Sequence, residues 1–401
     1  MDPIRNPYTP GAGSTPPALT GRDLELESFR VLLARLRLGR PEKSLIVTGL
    51  RGVGKTVLLN SFEGIAQDAR FVTAKTEVTH DTDFAATMAR LSRRLLLALS
   101  PRERMVTKVL AAARVLKAFT LRLPDGHEVA LDVDAASGRA DSGHLADDLG
   151  DVLVALGEAA RERRKGIAFL LDEIQFLERG ELEALVTAIH AVAQASLPLT
   201  FVGAGLPQLP SLAGTAKSYS ERLFDFPRIG ALEGTPARAA LELPALEEEV
   251  TWEGSAVDEV LRFTEGYPYF LQEYGKHAWN VAGYPAITLA DVQEARPLVR
   301  LQLDENFFRV RTGRVTRAEL RYVAAMASLG AGPYRTGEIA ARLGARGPEN
   351  VAPLRARLIQ KGVIYSPEHG VNEFTVPQFD DYLRRNHPLE DGSQPPRARS
   401  L

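Results

Sequence analysis

The eight residues Gly49-Leu50-Arg51-Gly52-Val53-Gly54-Lys55-Thr56 constrain this chain more than any other segment. Glycines at 49, 52 and 54 let a backbone bend until several N–H groups face one point. The flanks decide whether such a bend has a use. Ser44-Leu45-Ile46-Val47-Thr48 is a short apolar, β-prone run and reads as a buried strand. Residues 55–62 read as a helix. Strand, glycine-bearing turn and helix in that order aim main-chain donors and a positive helix end at one anion. The GK[ST] ending fits a phosphate, cradled by residues 49–57 through Val57. Lys55 would reach the β and γ phosphates, and the Thr56 hydroxyl would ligate Mg²⁺. A glycine-rich turn without a ligand is the plain alternative.

A second element strengthens the phosphate reading. Gly166-Ile167-Ala168-Phe169-Leu170-Leu171 is a continuous apolar run that delivers Asp172 and Glu173 at its end. Ligands of open α/β sheets bind outside the carboxyl ends of the strands. Asp172 would hold Mg²⁺ there, and Glu173 would orient or deprotonate an attacking water. An acidic pair after a strand also serves as a helix N-cap, which the residues alone leave open.

Residues 70–74 and 199–205 read as further strands, and residues 24–36, 84–99, 146–164 and 182–195 carry helical spacing. Strands alternating with helices argue for an α/β domain over residues 20–235, a parallel sheet with helices on both faces. Pro124-Asp125-Gly126 between two alternating runs predicts a hairpin insert near 118–133. Beyond residue 235 the chain reads as mainly helical, with helices at 257–263, 269–282 and 292–310. Residues 1–19 are rich in Pro, Gly, Ser and Thr and form an extended leader; residues 389–401 form a polar, disordered tail.

Composition removes whole classes of chemistry. There is no Cys, which excludes disulfide scaffolds, thiolate metal sites and cysteine catalysis. The seven His include no pair at HxxxH spacing, so Mg²⁺ is the one metal expected. No apolar run approaches the ~20 residues of a membrane span, and the N-terminus has no apolar signal core. A cytoplasmic protein is expected.

GLRGVGKT, FLLDEIQ and the upstream LTGRD together resemble the AAA+/STAND class of P-loop ATPases. Within that class they are most similar to the branch related to origin-recognition-complex ATPases. The likeness covers most of residues 15–385. It implies a P-loop NTPase sheet over 20–235, a small helical lid over 236–310 and a winged-helix domain over 311–388, with ATP and Mg²⁺ as cofactors. It implies that Gly21 and Arg22 approach the adenine side, and that Gln175 accompanies the acidic pair. Arg222 would be an arginine finger or sensor, acting in catalysis beside Glu173 and Lys55. Gly266-Tyr267-Pro268 matches the GxP motif of the lid, which would set Pro268 on the nucleotide base. Arg222 also reads as a surface Arg, and the GYP segment as a turn that opens a helix. One departure is plain. The strand that ends in a polar sensor in the family ends here in Gly203-Ala204-Gly205, which points to slow hydrolysis.

Charge is unevenly spread. Residues 309–361 hold ten Arg, one Lys and three Glu, whereas residues 125–151 hold eight acidic residues and one Arg. Inside the basic stretch, 336–344 and 351–362 read as helices about a turn, followed by a hairpin of 363–365 and 372–376. That order looks like a winged helix. Its second helix would carry Arg355, Arg357 and Lys361 to the phosphates or base edges of double-stranded DNA. Contact with a protein partner, or pairing with the acidic stretch, are the alternatives. The chain is expected to be an ATP-driven switch, forming an ATP-dependent homo-oligomer if its arginine acts across an interface. A non-hydrolysing ATP-bound regulator of DNA and an interaction module for an effector are the rivals.

Overall fold

Short apolar runs separated by helices must pair in parallel, because each crossover returns the chain to the same edge. The computed structural model, which describes residues 1–11, 13, 18–99, 107–122 and 133–389, bears this out. Strands β1 (Ser44–Thr48), β2 (Phe71–Glu77), β3 (Gly166–Asp172), β4 (Leu199–Gly205) and β5 (Phe224–Asp225) form one parallel sheet in the order β2-β3-β4-β1-β5. β1, β3 and β4 are buried along their whole length, hence their largely apolar sequences. β4 pairs with β1 on one side and β3 on the other, Val47 opposite Ala204 and Leu171 opposite Gly203. The turn after β1 and the acidic pair after β3 therefore flank the end of β4.

Helices α1 (Asp23–Arg37), α2 (Lys55–Asp68), α3 (Phe84–Leu99), α4 (Thr107–Thr120), α5 (Leu145–Glu162) and α6 (Arg179–Gln194) cover the sheet. Ile167, Phe169 and Leu171 of β3 join one large apolar cluster with α3 to α6. Ala168 and Leu170 alternate with them and are equally buried, so both faces of the strand are covered. Phe29 of α1 meets Phe62 of α2 at 4.5 Å between ring centroids. Among the described residues no helix is long and apolar enough to cross a membrane.

The chain groups into two units: Arg5–Thr251 with Val260–Gln272, and Met1–Ile4 with Trp252–Glu259 and Glu273–Leu401. These bounds differ from those read at 235 and 310, and local contacts explain why. Residues 232–251 and 260–272 stay with the sheet domain: Tyr269 N donates to Gly52 O at 3.3 Å, and Thr9 N donates to the Gln272 side chain at 3.2 Å. The leader is held too. Tyr8 is buried with its hydroxyl on Leu241 O, and Asn60 Nδ2 donates to Gly13 O at 3.2 Å.

Other expectations also shift. Residues 107–120 form a helix because Val109, Ala112, Ala113, Leu116 and Phe119 give it a buried face. Thr120, read as the start of a hairpin strand, closes that helix with its hydroxyl on Lys117 O. The rest of the hairpin, at 123–132, and the tail at 390–401 lie outside the described residues. The helix expected at 292–310 is three pieces: Leu289–Gln302, a π-helical turn Leu303–Phe308 and Arg309–Thr312. Phe308 of the wide turn stacks 5.2 Å from Tyr382 and 5.9 Å from Phe379.

The second unit ends in a compact α/β arrangement. Helix Arg317–Ser328, strand Tyr334–Arg335, helices Thr336–Arg342 and Pro348–Gln360, and strands Ile364–Tyr365 and Val371–Phe374 follow in order. The last strand pairs antiparallel with both others. Glu319 is fully buried and accepts from Arg357 Nε at 3.1 Å, Lys361 Nζ at 2.6 Å and Thr316 N at 2.7 Å. Burial alone would raise its pKa, but the Lys361 and Thr316 bonds outweigh burial and hold it at about 2. Arg355 bonds Asn372 and Ser366, each at 2.6 Å. Thus Arg355, Arg357 and Lys361, read as partner-facing, are each anchored inside their own unit. From the acidic stretch, Asp148 accepts from Ser142 and Gly143, and Asp151 from Ala140.

Glu319→Ala removes this hub and the helix cap together, and is expected to cost about 2 kcal/mol in chemical denaturation at pH 7. The folded carboxyl lies below its ordinary value of 4.5, so its stabilisation is complete above that pH and is lost as pH falls towards 2. The deficit of the variant should shrink across that window. A deficit unchanged between pH 7 and pH 3 contradicts the assignment.

Candidate phosphate-binding site

The turn after β1 sits at the carboxyl edge of the sheet. Gly52 and Gly54 take φ of 86° and 95°, which L side chains rarely adopt. A Cβ on Gly52 would also stand 3.1 Å from the Tyr267 ring. The first N–H groups of α2 have no intrahelical acceptor and so remain available to an anion. Val57 lies buried in that first turn.

Lys55 is 5% exposed, and its ammonium donates to Gly49 O at 3.0 Å and Leu50 O at 2.8 Å. Burial lowers its pKa to about 8, against the opposing pull of Glu173 and Asp172. Thr56 Oγ1 donates to Asp172 Oδ2 at 2.5 Å, and Glu173 N donates to Asp172 Oδ1 at 2.9 Å. Burial raises the pKa of Asp172, while the Thr56 bond opposes that rise. Glu173 itself has left-handed backbone, φ 54°, an uncommon state for Glu that accompanies functional sites. Its carboxylate meets Arg51 Nη2 at 3.6 Å and accepts from Gln175 Nε2.

Arg51, expected in the phosphate cradle, also turns its side chain to Glu173. Glu77 ends β2 directly opposite Asp172, and its pKa is raised by burial and then by Asp172 and Glu173. Only the β2–β3 register reveals it.

The remaining candidates fall in different places. Arg22 is buried and donates to Gly230 O at 2.7 Å, to Val53 O of the turn at 3.2 Å and to Gly21 O at 3.1 Å, so it braces the turn. Burial lowers its pKa. Pro268 opens helix Pro268–Val281, and Tyr269 N next to it donates to Gly52 O at 3.3 Å. Arg222 lies apart from this group. It precedes β5, whose Phe224 is opposite Ser44 at the amino end of β1, so Arg222 stands at the sheet edge away from its own turn.

The donor set suits Mg²⁺ carried by a phosphate. One hydroxyl and one carboxylate in contact are hard oxygen ligands, and Mg²⁺ takes few protein ligands when phosphates and waters complete its shell. Among the described residues no group of three or more His, Cys, Asp or Glu forms a self-sufficient metal cage.

Residues 18–202 match the family described as AAA ATPase domain, and residues 305–383 match a domain of unknown function. No curated protein matches the chain. Among solved structures, the Walker-type ATPase of Pyrococcus abyssi is similar at 17% identity and TM-score 0.51, covering 91% of this chain and 96% of that one. The Aeropyrum pernix ORC1 protein, solved in complex with DNA, is similar at 16% identity and TM-score 0.45, covering 95% and 96%. The Thermotoga maritima RuvB Holliday junction branch migration motor is similar at 14% identity and TM-score 0.46, covering 93% and 99%. The likeness to the Pyrococcus abyssi ATPase is one of fold. The AAA ATPase domain match, over residues 18–202, takes in the whole phosphate turn together with Lys55, Thr56, Asp172 and Glu173.

Proposed function

We propose that this chain binds Mg²⁺-ATP at residues 49–57, hydrolyses it slowly and acts as a nucleotide-dependent switch. The contact of Thr56 Oγ1 with Asp172 Oδ2 carries the reading, because it sets both Mg²⁺ ligands at the mouth of the turn. Bound Mg²⁺ supplies positive charge to the β and γ phosphate oxygens. Lys55 exchanges two carbonyl acceptors for phosphate oxygens. Asp172 fixes the position of the ion. Glu173 orients a water and takes up its proton. Gly21 and Arg22 hold the turn in shape, and Pro268 lies against the base. Arg222, remote from its own turn, serves the site of a neighbouring chain, which makes turnover depend on a homo-oligomer. The LTGRD and DEIQ segments support placement in the origin-recognition-like branch.

The helix, strand, helix, helix and hairpin of the second unit are read as a winged helix that delivers the output to DNA or to a protein. Arg355, Arg357 and Lys361 already have internal partners, whereas Arg314, Arg317, Arg321 and Arg335 are exposed. Duplex affinity that falls steeply with salt supports DNA. A second reading is a non-hydrolysing, ATP-bound regulator, favoured by the Gly203-Ala204-Gly205 end of β4.

Turnover separates the two. Glu173→Gln is expected to lose phosphate release by about a hundredfold or more while keeping ATP affinity. A parent protein that binds ATP and releases no phosphate establishes the regulator instead. Specific activity should rise with protein concentration and fall in Arg222→Ala; constant activity from a monomer refutes the trans arginine.

Lys55 gives a pH signature. Below about pH 8 its ammonium is charged before nucleotide arrives; above that, binding must draw in a proton. The affinity for a fluorescent ATP analogue should fall from pH 8 to 9.5, by at most about tenfold per pH unit, and Lys55→Arg should flatten the profile. A parent profile as flat as that of the variant contradicts the assignment.

A further inference from the structure

We propose that Gln175 is the positioning residue of Glu173, anchored at the end of β4 in the space a polar side chain at position 205 would fill. The proposal rests on the reading of Glu173 as the group that orients water.

Gln175 lies in the short turn Ile174–Phe176 that follows the acidic pair. Its amide is engaged at both ends. Oε1 accepts from Leu206 N at 3.1 Å, and Nε2 donates to Glu173 Oε2. A primary amide can accept and donate from one rigid plane, which a carboxylate or a hydroxyl in that place cannot reproduce. Arg51 Nη2 approaches the same oxygen at 3.6 Å. Gln175 thus donates to Oε2 while the Arg51 guanidinium pairs with the same oxygen as an ion, and among the described residues no protein donor engages Oε1, which is left to meet a water. The arrangement ties the carboxylate to the main chain just past β4.

Position 205 shows why this design and a side chain at the end of β4 exclude each other. A Cβ on Gly205 would lie 2.2 Å from Gln175 Oε1 and 2.6 Å from Leu209 Cδ1. A Cβ on Gly203 would lie 2.6 Å from Ile174 Cδ1. The bare end of β4 is therefore the counterpart of the Gln175 amide. Gly205 O also accepts from Gly49 N at 3.1 Å. One residue thus links the first residue of the phosphate turn to the strand end on which Glu173 is anchored.

The test is a cycle of variants in the full chain: Gln175→Ala, Gly205→Ala, the double variant and Gln175→Glu. Phosphate release and Mg²⁺-ATP affinity are measured for each. Gln175→Ala is expected to lower kcat about ten- to hundredfold while the ATP dissociation constant stays within about twofold. Gly205→Ala, by displacing the amide, should lower kcat likewise, and the double variant should be no worse than Gln175→Ala. Gln175→Glu, of the same shape but lacking the donor, should fall as far as Ala. A kcat within about twofold of the parent in Gln175→Ala or Gln175→Glu overturns the proposal. So does a double variant whose losses multiply, since Gly205 would then act by another route. Loss of ATP affinity parallel to loss of kcat also overturns it, by making the role structural. A parent protein with no turnover overturns the hydrolytic reading and this proposal together, whereas a working parent with unaffected variants sinks this proposal alone.

Discussion

Parallel pairing of β4 with β1 on one side and β3 on the other brings Thr56 to Asp172, residues 116 positions apart in the chain. The pairing is possible because all three strands are largely apolar and lie buried, with Ser44 and Thr200 satisfying each other inside, so no face has to meet water. The site is a consequence of this arrangement. The turn leaves β1, the acidic pair leaves β3, and the end of β4 lies between them with Gly205 O on Gly49 N.

The second property of the site is that its turn is held by contacts of its own. Lys55 holds two carbonyls of its own turn, Arg22 braces Val53 against Gly230, and Tyr269 N reaches Gly52 O. A turn held from three directions loses little freedom on binding an anion, and preorganised donors act without rearrangement. The same economy appears in the second unit, where one buried carboxylate, Glu319, gathers an arginine, a lysine and a helix cap. Arg357 and Lys361 of the basic stretch pair with that carboxylate.

Much of this was legible in the residues, for identifiable reasons. Largely apolar strands announce themselves by composition, and the phosphate turn by its glycines and its GKT ending, because close backbone approach tolerates little else. Glu77 was hidden, since it depends on the register of β2 with β3. The helix at 107–120 was overlooked because its buried face is built largely of Ala and Val, a weaker signal than leucines at fours. Thr120 was misread because an alternating pattern cannot be told from the last turn of a helix over four residues. Arg355, Arg357 and Lys361 look like free charge in sequence because their partners, Asn372, Ser366 and Glu319, are 11 to 42 positions away.

The turn between β1 and α2 is proposed to hold a triphosphate, with Thr56 and Asp172 sharing its magnesium. Calorimetric titration of the folded chain with ATP decides this. One nucleotide per chain is expected, with binding that weakens when magnesium is withdrawn and loss of the heat in Lys55→Ala. Absence of any nucleotide uptake by a correctly folded parent protein, with magnesium present, would contradict it.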